Sequence, residues 1–133
     1  MRHRRLTLAA VLVALSTTAV ATQAEAQIGL ERKILLQQDA AIPGYETVVA
    51  EVSIAVGGRE GRHWHSGTLV GYMLEGELTL ELEGQPTKIV RAGEAVLIEP
   101  LQVHEGFNKG GVPIKAIVTF IVEKGKPLTT PAQ

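Results

Sequence analysis

Cysteine is absent from the 133 residues of the chain, and aromatic residues make up only 4% of it. The absence of cysteine excludes disulfide bonds, thiolate metal ligands and a lipid-modified cysteine anchor. An exported domain of this composition must be held together by its hydrophobic core, or by its core and a metal ion. Because aromatic side chains are scarce, an internal pocket should be lined mainly by aliphatic ones. The candidates for that lining, each of which is more often plain core, are Leu69, Met73, Phe107 and Phe120.

The N-terminal segment has no uninterrupted apolar run of the roughly 20 residues that a membrane span requires. Three arginines lie within the first five residues, and an apolar run at residues 6–15 is followed by one serine and three threonines up to residue 22. Ala24-Glu25-Ala26 offers the small-x-small pattern that signal peptidase cleaves. This predicts a signal peptide at residues 1–26, removed between Ala26 and Gln27, rather than a membrane anchor. The mature domain would be residues 27–133, periplasmic or secreted.

The export route is left open by the leader. Arg4-Arg5 weakly resembles a twin-arginine signal, but the fuller motif is incomplete, so ordinary Sec export is favoured. A twin-arginine route would allow the folded domain to select its metal in the cytoplasm.

Charge of one sign never accumulates along the mature segment. Without the three arginines and one glutamate of the leader, it has 10 basic and 13 acidic residues, a net charge of −3. The signs alternate and produce no basic face, so neither a nucleic-acid partner nor a membrane surface is expected after the leader is removed.

Apolar residues alternate with polar ones in short segments separated by glycine and proline. Val48, Ala50, Val52, Ile54 and Val56 fall on one face of an extended segment. The same pattern, or a short β-branched run, predicts strands near residues 69–74, 78–83, 87–90, 95–98 and 114–122. Residues 27–42 are interpreted as a lead-in, and residues 124–133 as a tail that crosses the surface. This organisation is typical of a single all-β sandwich or barrel.

The histidines of the mature segment have an ordered spacing. His63 and His65 are two residues apart, so in an extended segment both imidazoles project to one face and Trp64 to the other. Such a pair can reach one metal ion, but by itself it also fits surface or packing histidines. The third histidine, His104, lies about 40 residues further along the chain.

Two glycine-histidine patterns resemble the paired motifs of the cupin family, in particular its small single-domain bacterial members. The first pattern runs from Gly57 through His63 and His65 to Gly76, and the second comprises Gly93, His104 and Asn108. The stretch Tyr72 to Leu78 is also similar to one that many of these proteins share. The resemblance covers residues 57 to about 122 and implies a double-stranded β-helix, or jelly-roll, barrel.

In cupins the histidines of the two motifs converge on one metal ion. The resemblance therefore implies that His63, His65 and His104 bind one divalent transition metal. Imidazole suits Fe, Mn, Ni, Cu or Zn, and the sequence does not choose among them. The alternative is a polar patch of three histidines lining an empty pocket.

The chain departs from the family pattern at two positions. The glutamate that usually completes the first motif corresponds to Leu69, which cannot coordinate a metal. Glu60, Gln102 and Glu105 lie near enough in sequence to replace it as a ligand or to act as a general base, although residues of these types are more often ordinary solvated ones. In the second motif the usual glycine before the histidine is replaced in Glu99-Pro100-Leu101. Because leucine disfavours positive φ, this loop is expected to follow a different path, which leaves the direction of His104 less certain.

These residues support three hypotheses about function. The first is a metal-dependent enzyme acting on a small, anionic or enolate-like molecule, by dioxygenase-type oxidation or by lyase or isomerase chemistry. No catalytic acid or base can be assigned from the sequence. The second is a non-catalytic module that binds a small ligand or the metal itself. The third is a barrel that mainly assembles, since cupins commonly form homodimers through their sheets.

Overall fold

The computed structural model describes residues 27–133; the predicted signal peptide lies outside the described residues. This part of the chain forms strands joined by turns, and it contains no helix that is long and apolar enough to cross a membrane. The strands are β1 (Ile28–Asp39), β2 (Tyr45–Arg59), β3 (His63–Trp64), β4 (Thr68–Glu75), β5 (Glu77–Leu82), β6 (Lys88–Arg91), β7 (Ala95–Ile98), β8 (His104–Phe107), β9 (Ile114–Glu123) and β10 (Thr130–Pro131).

The strands form two antiparallel layers that close into a jelly-roll barrel. One layer has the order β1-β2-β9-β4-β7, and the other has the order β6-β5-β8-β3-β10. The layers are joined where the end of β2 pairs with the end of β8, at Arg59 and Phe107. The all-β barrel predicted from the alternating pattern is confirmed.

The core lies between the layers and is built from the inward faces of the long strands. Val48, Ala50, Val52 and Ile54 of β2 are all buried, as the alternation predicted. They face buried residues of β4, β5 and β9, chiefly Leu69, Met73, Leu80, Ile114 and Phe120. The prediction for Val56 is wrong, because this side chain is exposed. The register of β1 against β2 shifts between Ile28 and Leu30, and this irregularity ends the alternation before Val56.

The segment interpreted as a lead-in is instead the long strand β1. It pairs with β2 from Leu30–Ile54 to Asp39–Glu46. Only two of its side chains, Leu30 and Arg32, are even partly buried, so β1 lacks the clean alternation by which a half-buried strand is detected. It is an edge strand of the layer, held mainly by its backbone hydrogen bonds.

The C-terminal tail is also more ordered than predicted. Thr130 and Pro131 pair with Trp64 and His63, and the Ala132 N–H donates to the Arg62 carbonyl at 2.9 Å. The tail therefore extends the second layer beside the histidines.

Candidate metal centre

The three histidines predicted as ligands lie together inside the barrel. His63 is in β3 and pairs directly with His104, the first residue of β8, while His65 directly follows β3. Ring centroids are 4.2 Å apart for His63 and His104, 4.9 Å for His63 and His65, and 5.0 Å for His65 and His104. One nitrogen from each ring lies within 4.8 Å of the other two. All three side chains are buried. We call this set the histidine cluster.

Backbone carbonyls fix the orientation of each imidazole. In every ring the Nδ1–H donates to a carbonyl oxygen, which can only accept. The acceptors are Gly61 for His63 (2.7 Å), Leu128 for His65 (2.7 Å) and Gln102 for His104 (2.8 Å). The proton on Nδ1 leaves a lone pair on each Nε2, the arrangement that metal-binding histidines adopt. The Nε2 of His65 is buried and has no hydrogen-bond partner.

The buried surroundings favour the uncharged form of all three imidazoles. Burial lowers the pKa of all three imidazoles, and that of His65 falls to about 3. Protonation is opposed because a buried cation loses its hydration. Proximity adds to this, since a charge on His63 disfavours a second charge on His104. Neutral imidazole is the protonation state that binds a metal ion.

A cavity of about 60 Å³ opens beside the histidine cluster. Pockets for drug-sized ligands usually measure about 300–1,000 Å³, so this one has space for a small molecule or a few waters. Its lining includes Leu69, Met73 and Phe120, as predicted. The prediction for Phe107 is wrong: this ring lies outside the cavity, where the Lys109 ammonium stacks 4.7 Å from its centroid.

Leu69 lies where the missing motif glutamate would face the histidines. It is buried in β4, between Ile98 of β7 and Phe120 of β9, and it lines the cavity. The hydrocarbon side chain makes this wall apolar. No carboxylate joins the nitrogens that meet within 4.8 Å in residues 27–133.

Of the three residues that could replace the glutamate, only Glu60 lines the cavity. Its side chain packs against the Gly106 backbone, where a Cβ would come within 2.6 Å of Glu60 Oε2. Burial raises the pKa of the Glu60 carboxyl, and the nearby His104 and Arg32 only partly oppose this. Glu60 is thus a carboxyl group next to the histidine cluster, outside the set of candidate ligands.

Gln102 and Glu105 do not face the cavity. Glu105 follows His104 in β8 and points to the opposite face, where it forms an ion pair with Arg59 at 3.5 Å. The Gln102 side chain accepts a hydrogen bond from the Glu99 N–H at 3.3 Å. The backbone carbonyl of Gln102, rather than its side-chain amide, contributes to the site, because it accepts the hydrogen bond from His104 Nδ1–H.

The loop before His104 keeps the path that glycine would give it. Leu101 has φ = 63°, a left-handed conformation that non-glycine residues rarely adopt. Its N–H donates to the His65 carbonyl at 2.9 Å, which ties this loop to the first motif. The expectation of a different path is therefore wrong, and His104 points into the cavity. The hydrogen bond to His65 helps to hold this strained conformation, and the leucine side chain itself is exposed.

The sequence analysis missed the residues that the two ends of the described segment bring to the cavity. Gln27, which directly precedes β1, and Leu30 and Arg32 of β1 line it. Leu128 and Thr129 of the tail are hydrogen-bonded to His65 and Arg32, respectively. We call these five residues the terminal wall. Arg32 was detectable in principle as a cation within the weakly amphipathic lead-in, but no spacing rule connects it to the histidines.

The comparisons with known proteins agree with this architecture. Residues 50–125 match the cupin domain family, more than half of the chain, and the chain belongs to that family. No curated protein matches the chain significantly in sequence.

Several solved structures share the fold. A cupin-like protein from Thermotoga maritima superposes with a TM-score of 0.65 at 20% identity, over 77% of this chain and 75% of its own. The polyketide cyclase RemF from Streptomyces resistomycificus gives a TM-score of 0.65 at 20% identity, over 90% and 87%. KdgF from Halomonas sp. gives 0.54 at 20% identity, over 79% and 81%. At these identities the similarity shows the fold alone.

Proposed function

We propose that the chain binds one divalent transition metal ion through Nε2 of His63, His65 and His104 and acts as a metal-dependent enzyme on a small molecule. The observation that carries the proposal is the common orientation of the three rings, each with Nδ1–H bonded to a carbonyl and Nε2 left for coordination. The buried, unpartnered Nε2 of His65 supports it, since such an atom is unfavourable without a ligand.

The donor set suits Fe, Mn, Ni, Cu or Zn, because imidazole binds all of these as the neutral ligand found here. When bound, the ion would act as a Lewis acid with open coordination positions and an undiminished charge, since Leu69 contributes no carboxylate. Such a site favours dioxygenase-type oxidation, or lyase or isomerase chemistry on an enolate-like group.

The residues around the histidine cluster would supply positioning and proton transfer. Leu69, Met73 and Phe120 give the cavity an apolar wall, and its small volume limits the ligand to a small one. Glu60 is the carboxyl group of the cavity lining, so we assign it as the residue that holds or releases a proton at its carboxylate oxygens. That a structural neighbour is a polyketide cyclase supports the idea that this barrel can carry catalysis.

Elemental analysis of the purified protein tests the metal proposal. Close to one transition metal ion per chain is expected, and His63→Ala should lose it, because two imidazoles bind far more weakly than three. Thr79→Val is the matched control, a buried polar residue of β5 outside the cavity lining, and it should retain the metal. A wild-type protein that binds no metal on reconstitution would refute the proposal.

A non-catalytic binding module is the second candidate, favoured by the replacement of the motif glutamate by Leu69. Metal-loaded protein screened against small acids separates the two. Turnover that Glu60→Gln abolishes while the metal is retained supports the enzyme. Saturable binding without turnover of any bound compound supports the module.

We further propose that the protein is exported and forms a homodimer. The mass of the purified protein tests export, since loss of residues 1–26 is expected. Light scattering tests assembly, and a monomer at micromolar concentration would contradict the homodimer. Exposed apolar residues on the outer face of β4 and β7, including Val70, Tyr72 and Leu97, support an assembling sheet.

A further inference from the structure

Arg32 is a cation placed where the family motifs predict none. It belongs to β1, it is half-buried, and it lines the same cavity as the histidine cluster. Its Cζ lies 5.5 Å from the centroid of the Phe120 ring, and that ring in turn contacts His65 at 5.1 Å between centroids. One aromatic side chain therefore links the guanidinium to the candidate metal site.

The hydrogen bonding of Arg32 is incomplete. Its Nη2 donates to Thr129 Oγ1 at 3.1 Å, while its Nε is buried and has no hydrogen-bond partner. A buried donor without an acceptor costs free energy, and more so when it is charged. Glu60 is the acidic residue near enough to influence it, yet the Glu60 carboxylate rests against Gly106. The guanidinium therefore keeps unused donor capacity at the wall of the cavity that Arg32 lines.

We propose that Arg32 is the specificity-determining residue of this site and selects a small ligand that carries a carboxylate. The guanidinium presents its N–H donors as a planar fork, which matches the two oxygens of a carboxylate. The ligand would span the cavity, with its carboxylate on Arg32 and a second oxygen toward the histidine cluster. The small volume restricts it to a short acid, such as a 2-hydroxy or 2-oxo acid.

This inference deepens the proposed function and rests on it, since the second oxygen is assigned to the metal. To the proposed function it adds the chemical class of the ligand, a carboxylate, and a ligand-binding role for Arg32, which belongs to neither of the two motifs. If Arg32 were purely structural and served only to hold Thr129 and to pack on Phe120, its replacement would leave the preference between charged and neutral ligands unchanged.

The test uses protein loaded with Co²⁺, whose visible spectrum reports changes in coordination. Glycolate and its uncharged analogue glycolamide are titrated, and the ratio of their dissociation constants is measured. The wild type should prefer glycolate by about tenfold or more, as expected for a charge-assisted bidentate contact. Arg32→Met keeps an apolar side chain over Phe120 but removes the charge, and should reduce the preference by about tenfold, to the preference that the metal ion alone gives. Arg32→Lys should restore part of it.

Lys33→Gln is the matched control, because it removes one positive charge from the next, solvent-exposed position of β1. It should keep the glycolate preference. Failure of wild-type protein to bind Co²⁺ would refute the proposed function itself. Normal Co²⁺ binding with an equal glycolate preference in wild type and Arg32→Met would overturn only the role of Arg32. If Arg32→Met does not fold, the same comparison is made with Arg32→Gln, and an undiminished preference in that folded variant overturns the role.

Discussion

The histidine cluster and the terminal wall enclose one cavity but are specified in different ways. The cluster comes from two motifs in the middle of the chain, and adjacent strands β3 and β8 hold its rings in register. The terminal wall comes from β1 and the tail, which approach the cavity from opposite ends of the described segment. We therefore expect the histidine cluster to hold the proposed metal ion and the terminal wall to adapt the cavity to the proposed ligand.

The two regions are nevertheless coupled through backbone atoms. The Leu128 carbonyl orients His65, and Thr129 holds Arg32. The tail thus supports both sides of the cavity.

Removal of residues 128–133 should weaken metal binding by about 10- to 100-fold, the usual effect of losing an outer-shell partner of a ligand. The truncation deletes the Leu128 carbonyl, which accepts the hydrogen bond from His65, while all three histidines remain in the chain. Competition with a chromophoric chelator measures the affinity. Leu128→Ala retains the carbonyl and should bind the metal nearly as well as the wild type. Equal affinities for truncated and full-length protein would show that the tail does not orient His65.

Metal-free protein should lose stability as the pH falls from 7 to 5. The pKa of a histidine is near 6.5 in the unfolded chain, whereas burial lowers that of His65 to about 3 in the fold. The unfolded state therefore binds more protons over this range, and His65 alone should lower the free energy of unfolding by about 2 kcal/mol. Urea titrations at several pH values measure it. His65→Gln should show a smaller decline, and an identical decline in both proteins would contradict the assignment.

Gly106→Ala should destabilise the fold by about 1–2 kcal/mol, an overpacking effect. The new Cβ would approach Glu60 Oε2 at 2.6 Å and Leu78 Cδ1 at 2.9 Å, both at the ends of side chains that can shift. Urea unfolding measures the change. Gly110→Ala is the control, since its Cβ would meet only Asn108 Oδ1, at 3.5 Å. Equal stability of the two variants would indicate that Glu60 is not held against Gly106.

Leu101→Gly should stabilise the protein by about 0.5 kcal/mol. It relieves a left-handed leucine, which costs about 1–2 kcal/mol, but adds the greater chain entropy of glycine. Little burial is lost because the side chain is exposed. Leu101→Ala retains the Cβ and should bring no gain. If Leu101→Ala stabilised the protein and Leu101→Gly destabilised it, the leucine side chain, rather than its left-handed backbone, would determine the stability of this loop.

The sequence predicts the parts of this molecule whose pattern follows from burial or from motif spacing. The alternation of β2 and β5 marks inward faces because each strand has one wet side, and the spacing of His63 and His65 follows from the pleat. β1 escaped detection because an edge strand stabilised by backbone pairing needs no apolar periodicity. Arg32 and the Leu128 carbonyl could not be predicted for a different reason, because their contacts join distant parts of the sequence. Arg32 and Thr129 are 97 residues apart, and His65 and Leu128 are 63 residues apart.

The position of Gln27 in the cavity lining has a practical consequence for handling this protein. A fusion partner or affinity handle attached immediately before it would emerge beside the ligand site, and one attached after residue 133 would follow the strand next to His63. The exposed turn at residues 84–86 is far better suited to carry an inserted peptide, because Gly84 has open space around it. Material labelled there would keep both chain ends free for ligand measurements.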